Sequence, residues 1–199
     1  MSDSSSLELI LASGSPRRRE MLERLGVTFT VRSVDIDETP HAGEPPEPYV
    51  RRLAESKARA ARSDEHELVL AADTIVALED QLLGKPRDEA DARRMLRQLS
   101  GRSHRVLTGV AVWDTATADP QVAVEHTRVV FAPLSEDEIA WYAASGEPLD
   151  KAGAYAVQGL GALFVERLEG NYSNVVGLPL PLTYRLLREA GCSLLTPQT

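Results

Sequence analysis

The sequence predicts a mixed α/β fold, on three observations. Short apolar runs alternate with helical patterns through the first hundred residues. Two long strand patterns, Arg105 to Asp114 and Gln121 to Ala132, then follow one another across the polar turn Thr115 to Pro120. A helical pattern from about Pro179 to Ala190 closes the chain.

Each element has a local reason. Leu7 to Ala12 is an apolar run ending in small residues, a buried strand. Ser13-Gly14-Ser15-Pro16 makes a turn, with Ser15 placed as helix N-cap and Pro16 at the first helical position. The helix carries Met21, Leu22 and Leu25 on one face and ends at Gly26, which can take the left-handed backbone. Val27 to Val34 alternates as a strand, and the acidic, Pro-rich segment Asp37 to Pro48 reads as a loop. Tyr49 to Ala61 is helical, Leu68 to Leu78 a strongly apolar strand, and Asp88 to Leu99 a helix with Ala92, Met95, Leu96 and Leu99 inward. Ser135 and Glu138 form the capping box of a helix running to about Ala144. Ser145 to Gly161 is Gly-rich, and Ala162 to Val165 is a short strand.

The 199 residues read as one domain, 1–199, able to bury about 70% of the surface its unfolded chain exposes. With 43% hydrophobic and 26% charged residues, the disordered, collagen-like and coiled-coil classes are excluded. The first hundred residues hold 15 basic and 19 acidic side chains and the remainder 7 and 11, so each half carries −4. Neither half is basic enough to hold a nucleic-acid polymer. The single cysteine, Cys192, excludes an internal disulfide and any Cys-cluster metal site, and the four histidines have no ligand-like spacing. Met1 to Ser6 lacks the basic and apolar regions of a secretory leader, and no apolar stretch is long enough to span a membrane. The expected compartment is the reducing cytoplasm.

Three features stand where a bland core would not place them. Arg17, Arg18 and Arg19 occupy the first turn of a helix, whose positive end disfavours cations by ~0.3–1 kcal/mol each. An anion bound by both the free amides and the arginines would offset that cost. Successive residues point about 100° apart, so one ligand cannot take all three. Arg17, nearest the turn, is the first choice and Arg18 the second; a solvated basic patch is the alternative. Lys57 completes the apolar stripe of Val50, Leu53, Ala54, Ala58 and Ala61, so it must reach a partner or snorkel out. Asp73 interrupts a strand apolar on both faces, where an unpaired carboxylate costs several kcal/mol. A metal ion, Lys57 or a helix N-terminus must compensate it. Glu38 and Lys85 are placed to add charge to the same cleft. Together these residues describe a site for a polyphosphate and a divalent cation, hence phosphoanhydride chemistry, with no Walker, dinucleotide-binding or kinase signature.

The segments also form a family pattern. Leu11-Ala12-Ser13-Gly14-Ser15-Pro16-Arg17-Arg18, Glu55-Ser56-Lys57-Ala58, Ala72-Asp73-Thr74, Gly84-Lys85-Pro86 and Ser100-Gly101-Arg102-Ser103-His104 resemble the Maf family of nucleoside triphosphate pyrophosphatases. The resemblance continues in order through Glu147-Pro148-Leu149-Asp150-Lys151-Ala152-Gly153-Ala154-Tyr155, Gln158-Gly159 and Val175-Val176-Gly177-Leu178-Pro179.

It implies an elongated, two-lobed, inosine-triphosphatase-like fold around a long mixed sheet, with the nucleotide between the lobes. The implied reaction cleaves a nucleoside triphosphate between the α and β phosphates, with Mg²⁺ or Mn²⁺, in a cytoplasmic homodimer. Lys151, Gly153, Tyr155 and Gln158 resemble the branch acting on dTTP and UTP. On that resemblance Asp73 is the catalytic base and shares a metal with Glu38, although Asp37 follows the same strand. Ser13, Arg17, Arg18, Lys57 and Lys85 bind phosphate, and Arg17, Thr74 and Gln158 select the base. Gln158 suits that work because an amide offers a donor and an acceptor to the O4 and N3 edge of uracil or thymine. The alternatives are the same chemistry on 7-methyl-GTP, or a nucleotide-binding regulator of cell division or septum formation.

Overall fold

The structure, a computed structural model, describes residues 7–64, 66–192 and 194. Among the described residues, seven strands form one mixed sheet: β1 (Glu8–Leu11), β2 (Thr30–Val31), β3 (Glu67–Leu78), β4 (Gln81–Leu83), β5 (Ser103–Asp114), β6 (Gln121–Phe131) and β7 (Val165–Glu169). Their order is β2-β1-β3-β5-β6-β7, with β4 added to the far end of β3. The pairings β2–β1 and β1–β3 are parallel and the others antiparallel. The helices are α1 (Pro16–Arg24), α2 (Pro46–Ala61), α3 (Glu89–Leu99), α4 (Glu136–Ala144), α5 (Tyr172–Val176) and α6 (Leu180–Glu189). No helix among the described residues is long and apolar enough to cross a membrane.

The alternation of β3 distributes the layers. Val69 and Ala71 pack on Ala54, Ala58 and Ala61 of α2, and Ile75 and Ala77 on Tyr49, Val50 and Leu53 of the same helix. The other face is divided. Leu68, Leu70 and Ala72 meet Leu22 of α1 with Leu182 and Leu186 of α6, whereas Val76 and Leu78 meet Ala92 and Leu96 of α3 with Ile139 of α4. A cleft lies where one group of helices stops and the other has not begun. It opens at the sheet edge as well: β1 pairs with β3 only over Glu67–Leu70 and β4 only over Val76–Leu78, leaving residues 71–75 with no strand on that side.

Local structure departs from the sequence expectation in six places. The strand expected over 27–34 pairs only at Thr30 and Val31, because the four-residue β1 offers it a short template. Leu25, expected to face inward, is half exposed beyond the last turn of α1. Ser15 holds the N-cap position but makes no side-chain cap bond; its own amide donates to Ser13 Oγ instead. Helix α2 starts at Pro46 rather than Tyr49, since proline in a first turn gives up an amide that has no helical partner anyway. Strand β4 and the five-residue α5 lie in segments too short to carry a period. Residues Leu160–Phe164 wind as a 3₁₀ turn and the strand begins only at Val165, because Glu147 ties the amides of Leu160 and Gly161. The capping box of α4 forms as read, with mutual bonds between Ser135 and Glu138.

Candidate active site

The cleft is a cavity of about 600 Å³, within the usual range for a small-molecule site. Its walls include the nine residues to which the family resemblance gives catalytic, metal, phosphate or base contacts: Ser13, Arg17, Arg18, Glu38, Lys57, Asp73, Thr74, Lys85 and Gln158.

Asp73 is 8% exposed and lies on the unpaired stretch of β3. Its odd register directs it toward α2, where Lys57 sits one turn beyond Leu53 and Ala54. Lys57 Nζ lies 2.5 Å from Asp73 Oδ1 and 2.7 Å from Glu38 Oε1, so one ammonium binds two carboxylates. Burial raises the pKa of the Asp73 carboxyl, outweighing the opposing pull of Lys57 and Arg18. Glu38 is held by its loop. Tyr49 Oη donates to the Glu38 carbonyl at 2.7 Å, and Arg52 binds both the Thr39 carbonyl and the Glu44 carboxylate. Burial, with the charges of Asp73 and Glu38 nearby, pushes Tyr49 up to about 12, so it remains a neutral donor. Asp37 does not line the cavity; its Oδ1 accepts from the Thr39 amide at 2.9 Å.

The three arginines separate as helical geometry requires. Arg18 is the buried one: Nε donates to the Gly177 carbonyl at 2.7 Å, Nη1 to Ser13 Oγ at 3.1 Å and Nη2 to Thr74 Oγ1 at 3.0 Å. Burial lowers its pKa, and Asp73 acts in the opposite direction. A guanidinium has five N–H groups, so two remain for the cavity. Arg17 is half-buried in the cavity wall and pairs with Asp150 at 3.4 Å; Arg19 points outward to Glu23. Thr74 Oγ1 also lies 2.9 Å from Thr108 Oγ1, which donates to the Asn174 carbonyl. Lys85 is exposed after β4, and Gln158 is exposed in the loop that follows Tyr155. Sequence reading missed Tyr49 and Asp150; a tyrosine opening a helix carries no signal of its function, and Asp150 lies in a stretch without a period.

The arrangement is a cation-rich cavity around one buried carboxylate, floored by β3 and flanked by the amino end of α1. A family model described as Maf-like protein matches residues 8–190. The chain belongs to the Maf family. A dTTP/UTP pyrophosphatase of Anaeromyxobacter sp. strain Fw109-5 is 59% identical over 186 residues, covering 92% of this chain and 89% of that one. A dTTP/UTP pyrophosphatase of Myxococcus xanthus strain DK1622 is 57% identical over 187 residues, 94% of each chain. Among solved structures, the Ham1 protein of Staphylococcus aureus aligns at 15% identity with a TM-score of 0.49, over 92% of this chain and 99% of that one. In this Maf-family chain, most of the blocks quoted from the sequence supply residues to the walls of one cavity, whereas Ser100–His104 lies outside it and packs His104 into the core.

Three carboxylates line the cavity; Asp150 pairs with Arg17 and Lys151 at its mouth, and Glu38 and Asp73 stand together deeper in it. Both already converge on one ammonium, and each has a second oxygen away from it. Among the described residues no group of three or more His, Cys, Asp or Glu side chains could hold a metal by itself. The donor set therefore fits a hard divalent cation that takes one or two carboxylates and completes its shell with phosphate oxygens and water.

Proposed function

We propose that this protein hydrolyses dTTP and UTP, and modified pyrimidine nucleoside triphosphates, to the nucleoside monophosphate and pyrophosphate. One observation carries the reading: buried Asp73 and loop-borne Glu38 share the Lys57 ammonium in a cavity whose wall also holds Gln158. Relatives more than half identical over nearly their whole length carry the name dTTP/UTP pyrophosphatase.

Ser13, Arg17, Arg18, Lys57 and Lys85 bind the triphosphate, Arg18 with its two uncommitted N–H groups and Lys57 with its third. The amino end of α1 adds amides that no side-chain cap occupies. Asp73, ionised and held in place by Lys57, takes the proton of a water as its oxygen attacks the α-phosphorus. The bond from that phosphorus to the bridging oxygen breaks, and pyrophosphate leaves with the electron pair. Glu38 and Asp73 would hold Mg²⁺ or Mn²⁺, which when bound offsets the charge that develops on the phosphate oxygens. Gln158 reads the O4 and N3 edge of the base, with Thr74 shaping the selection; Arg17 serves either the phosphates or the base, since one guanidinium cannot hold both in one pose. A pocket built on such bonds discriminates strongly against a base that leaves them unpaired. The same reading places the enzyme in the cytoplasm as a homodimer; light scattering on the purified chain measures the second of these.

The test is pyrophosphate release from dTTP, UTP, CTP, GTP and 7-methyl-GTP, with and without Mg²⁺ or Mn²⁺, using Asp73→Asn as the blank. Metal-dependent release from dTTP and UTP that vanishes in the blank is the expected result. Release from 7-methyl-GTP alone would move the chain to a different substrate branch. Nucleotide binding without turnover would make it a regulator of the kind that acts on cell division.

A further inference from the structure

The loop that carries Gln158 is tied down by two side chains outside the reaction. Tyr142, on α4, is fully buried, and its hydroxyl donates to Glu147 Oε1 at 2.7 Å while accepting from the Ala156 amide at 3.0 Å. Glu147 Oε1 also accepts from the Gly161 amide at 3.0 Å, and Oε2 from the Leu160 amide at 2.9 Å. Three backbone amides bracketing Gln158 thus converge on one hydroxyl and one carboxylate. Gly161 completes the closure: a Cβ there would stand 2.5 Å from Tyr142 Oη and 2.8 Å from the Ala156 carbonyl. Between these anchors Ala156, Val157 and Gln158 face the cavity.

The Glu147 carboxylate is ionised and half-buried, and among the described residues its bonds come from a hydroxyl and two amides rather than from a cation. Burial raises its pKa, but the Tyr142 hydroxyl and the Gly161 and Leu160 amides together hold it below the usual carboxylate range. A charge used in this way fixes backbone positions, because each acceptor lone pair selects one amide direction.

We propose that Tyr142 and Glu147 are positioning residues for substrate selection: they hold the 156–161 loop so that the Gln158 amide meets the base edge from one place. The proposal rests on Gln158 being the base-reading residue. An amide offers a donor and an acceptor, and cytosine exchanges donor for acceptor along the edge that uracil and thymine present. A fixed loop places the Gln158 amide within bonding distance of that edge; a displaced loop loses those bonds, and with them the preference for the base they fit.

The experiment compares wild type, Tyr142→Phe, Glu147→Gln and Gln158→Ala on UTP, dTTP and CTP, with amide hydrogen exchange read at Ala156, Leu160 and Gly161. Tyr142→Phe keeps the buried ring and removes only the hydroxyl, so it guards against a Glu147 variant that fails to fold. The expected result is faster exchange at those three amides and a UTP-over-CTP preference lowered about tenfold or more in both loop variants, mostly through the KM for UTP. A preference retained despite faster exchange would overturn the positioning role. So would an equal loss of kcat on every substrate, which marks a merely structural contact. Gln158→Ala separates the two levels. If it loses the preference while the loop variants keep it, the positioning proposal alone falls; if it keeps the preference, the base-reading role falls and the proposal with it.

Discussion

Gly109 stands directly across the β3–β5 ladder from Asp73. A Cβ at position 109 would lie 2.5 Å from the Val50 carbonyl and 3.2 Å from Ala54 Cβ, so α2 rests against the sheet at a position with no side chain. That close approach brings Lys57 Nζ onto Asp73. Gly109→Ala must lift α2 or bend β5. Overpacking of this kind costs about 1–3 kcal/mol. Because the displaced helix carries Lys57, kcat should also fall by roughly tenfold or more. Urea unfolding and pyrophosphate release on the same preparation check both. A variant with wild-type stability and rate would mean that the helix contact does not set the site.

Asp73→Asn removes the proposed general base and leaves its shape. General-base catalysis contributes about 10²–10⁴-fold, so kcat should fall by that much while nucleotide binding, followed by calorimetry without metal, is retained or tightened. Stability should move the other way. The folded-state pKa of Asp73 is raised above its ordinary value, so the carboxyl favours the folded state while protonated and loses that advantage as pH rises through the raised pKa. In chelator, then, Asp73→Asn should be more stable than wild type at neutral pH, and the gap should close as the pH falls into the ordinary carboxylate range. A gap that stays constant with pH would contradict a raised pKa.

What the sequence disclosed, it disclosed through misplacement. Asp73 in an apolar strand and Lys57 in an apolar helical stripe each needed a partner, and each is the other's. The arginine run announced an anion, but which arginine turns inward depended on the position of Gly177, over 150 residues away, whose carbonyl accepts from Arg18 Nε. Glu38 and Asp37 could not be separated by composition; Tyr49, from a different element, fixes the Glu38 carbonyl, and Glu38 but not Asp37 lines the cavity. Gly109 carries no local signal of its function, because the helix it accommodates is packed from far away in sequence. Helix and strand periods describe one element at a time, and these contacts join two.

Glu38 and Asp37 therefore make a paired test of the metal reading. Chelation should abolish turnover. Glu38→Gln halves the carboxylate set and should raise the Mg²⁺ concentration giving half-maximal rate by about tenfold or more, since cation affinity follows the charge count of its ligands. Asp37→Asn removes a charge outside the cavity wall and keeps an oxygen that can accept from the Thr39 amide, so it should keep the wild-type metal dependence. A metal titration of the two variants decides it, and a shift in Asp37→Asn without one in Glu38→Gln would exchange their roles.

His104 makes the fold itself sensitive to acid. It is 2% exposed, its Nε2 lies 2.8 Å from Tyr155 Oη, and its ring packs edge-on against Phe131 and Tyr155. Among the described residues Nδ1 has no partner, so an imidazolium here would be a charge in an apolar site with only the Tyr155 hydroxyl to meet it. Burial pushes its pKa down to about 4. In the unfolded chain the imidazole binds its proton near pH 6.5. The unfolded state is therefore protonated first: the stability tied to neutral His104 is complete above pH 6.5 and drains away as the pH falls to about 4. That loss is on the order of 3 kcal/mol. His104→Gln should be less stable at pH 7.5, where Tyr155 loses a fitted partner, but should lack this part of the decline below pH 6.5. Urea midpoints at pH 7.5, 6, 5 and 4 measure the two slopes. Parallel curves would mean that the folded core accepts the imidazolium, and that Tyr155 and its neighbours relax to solvate it.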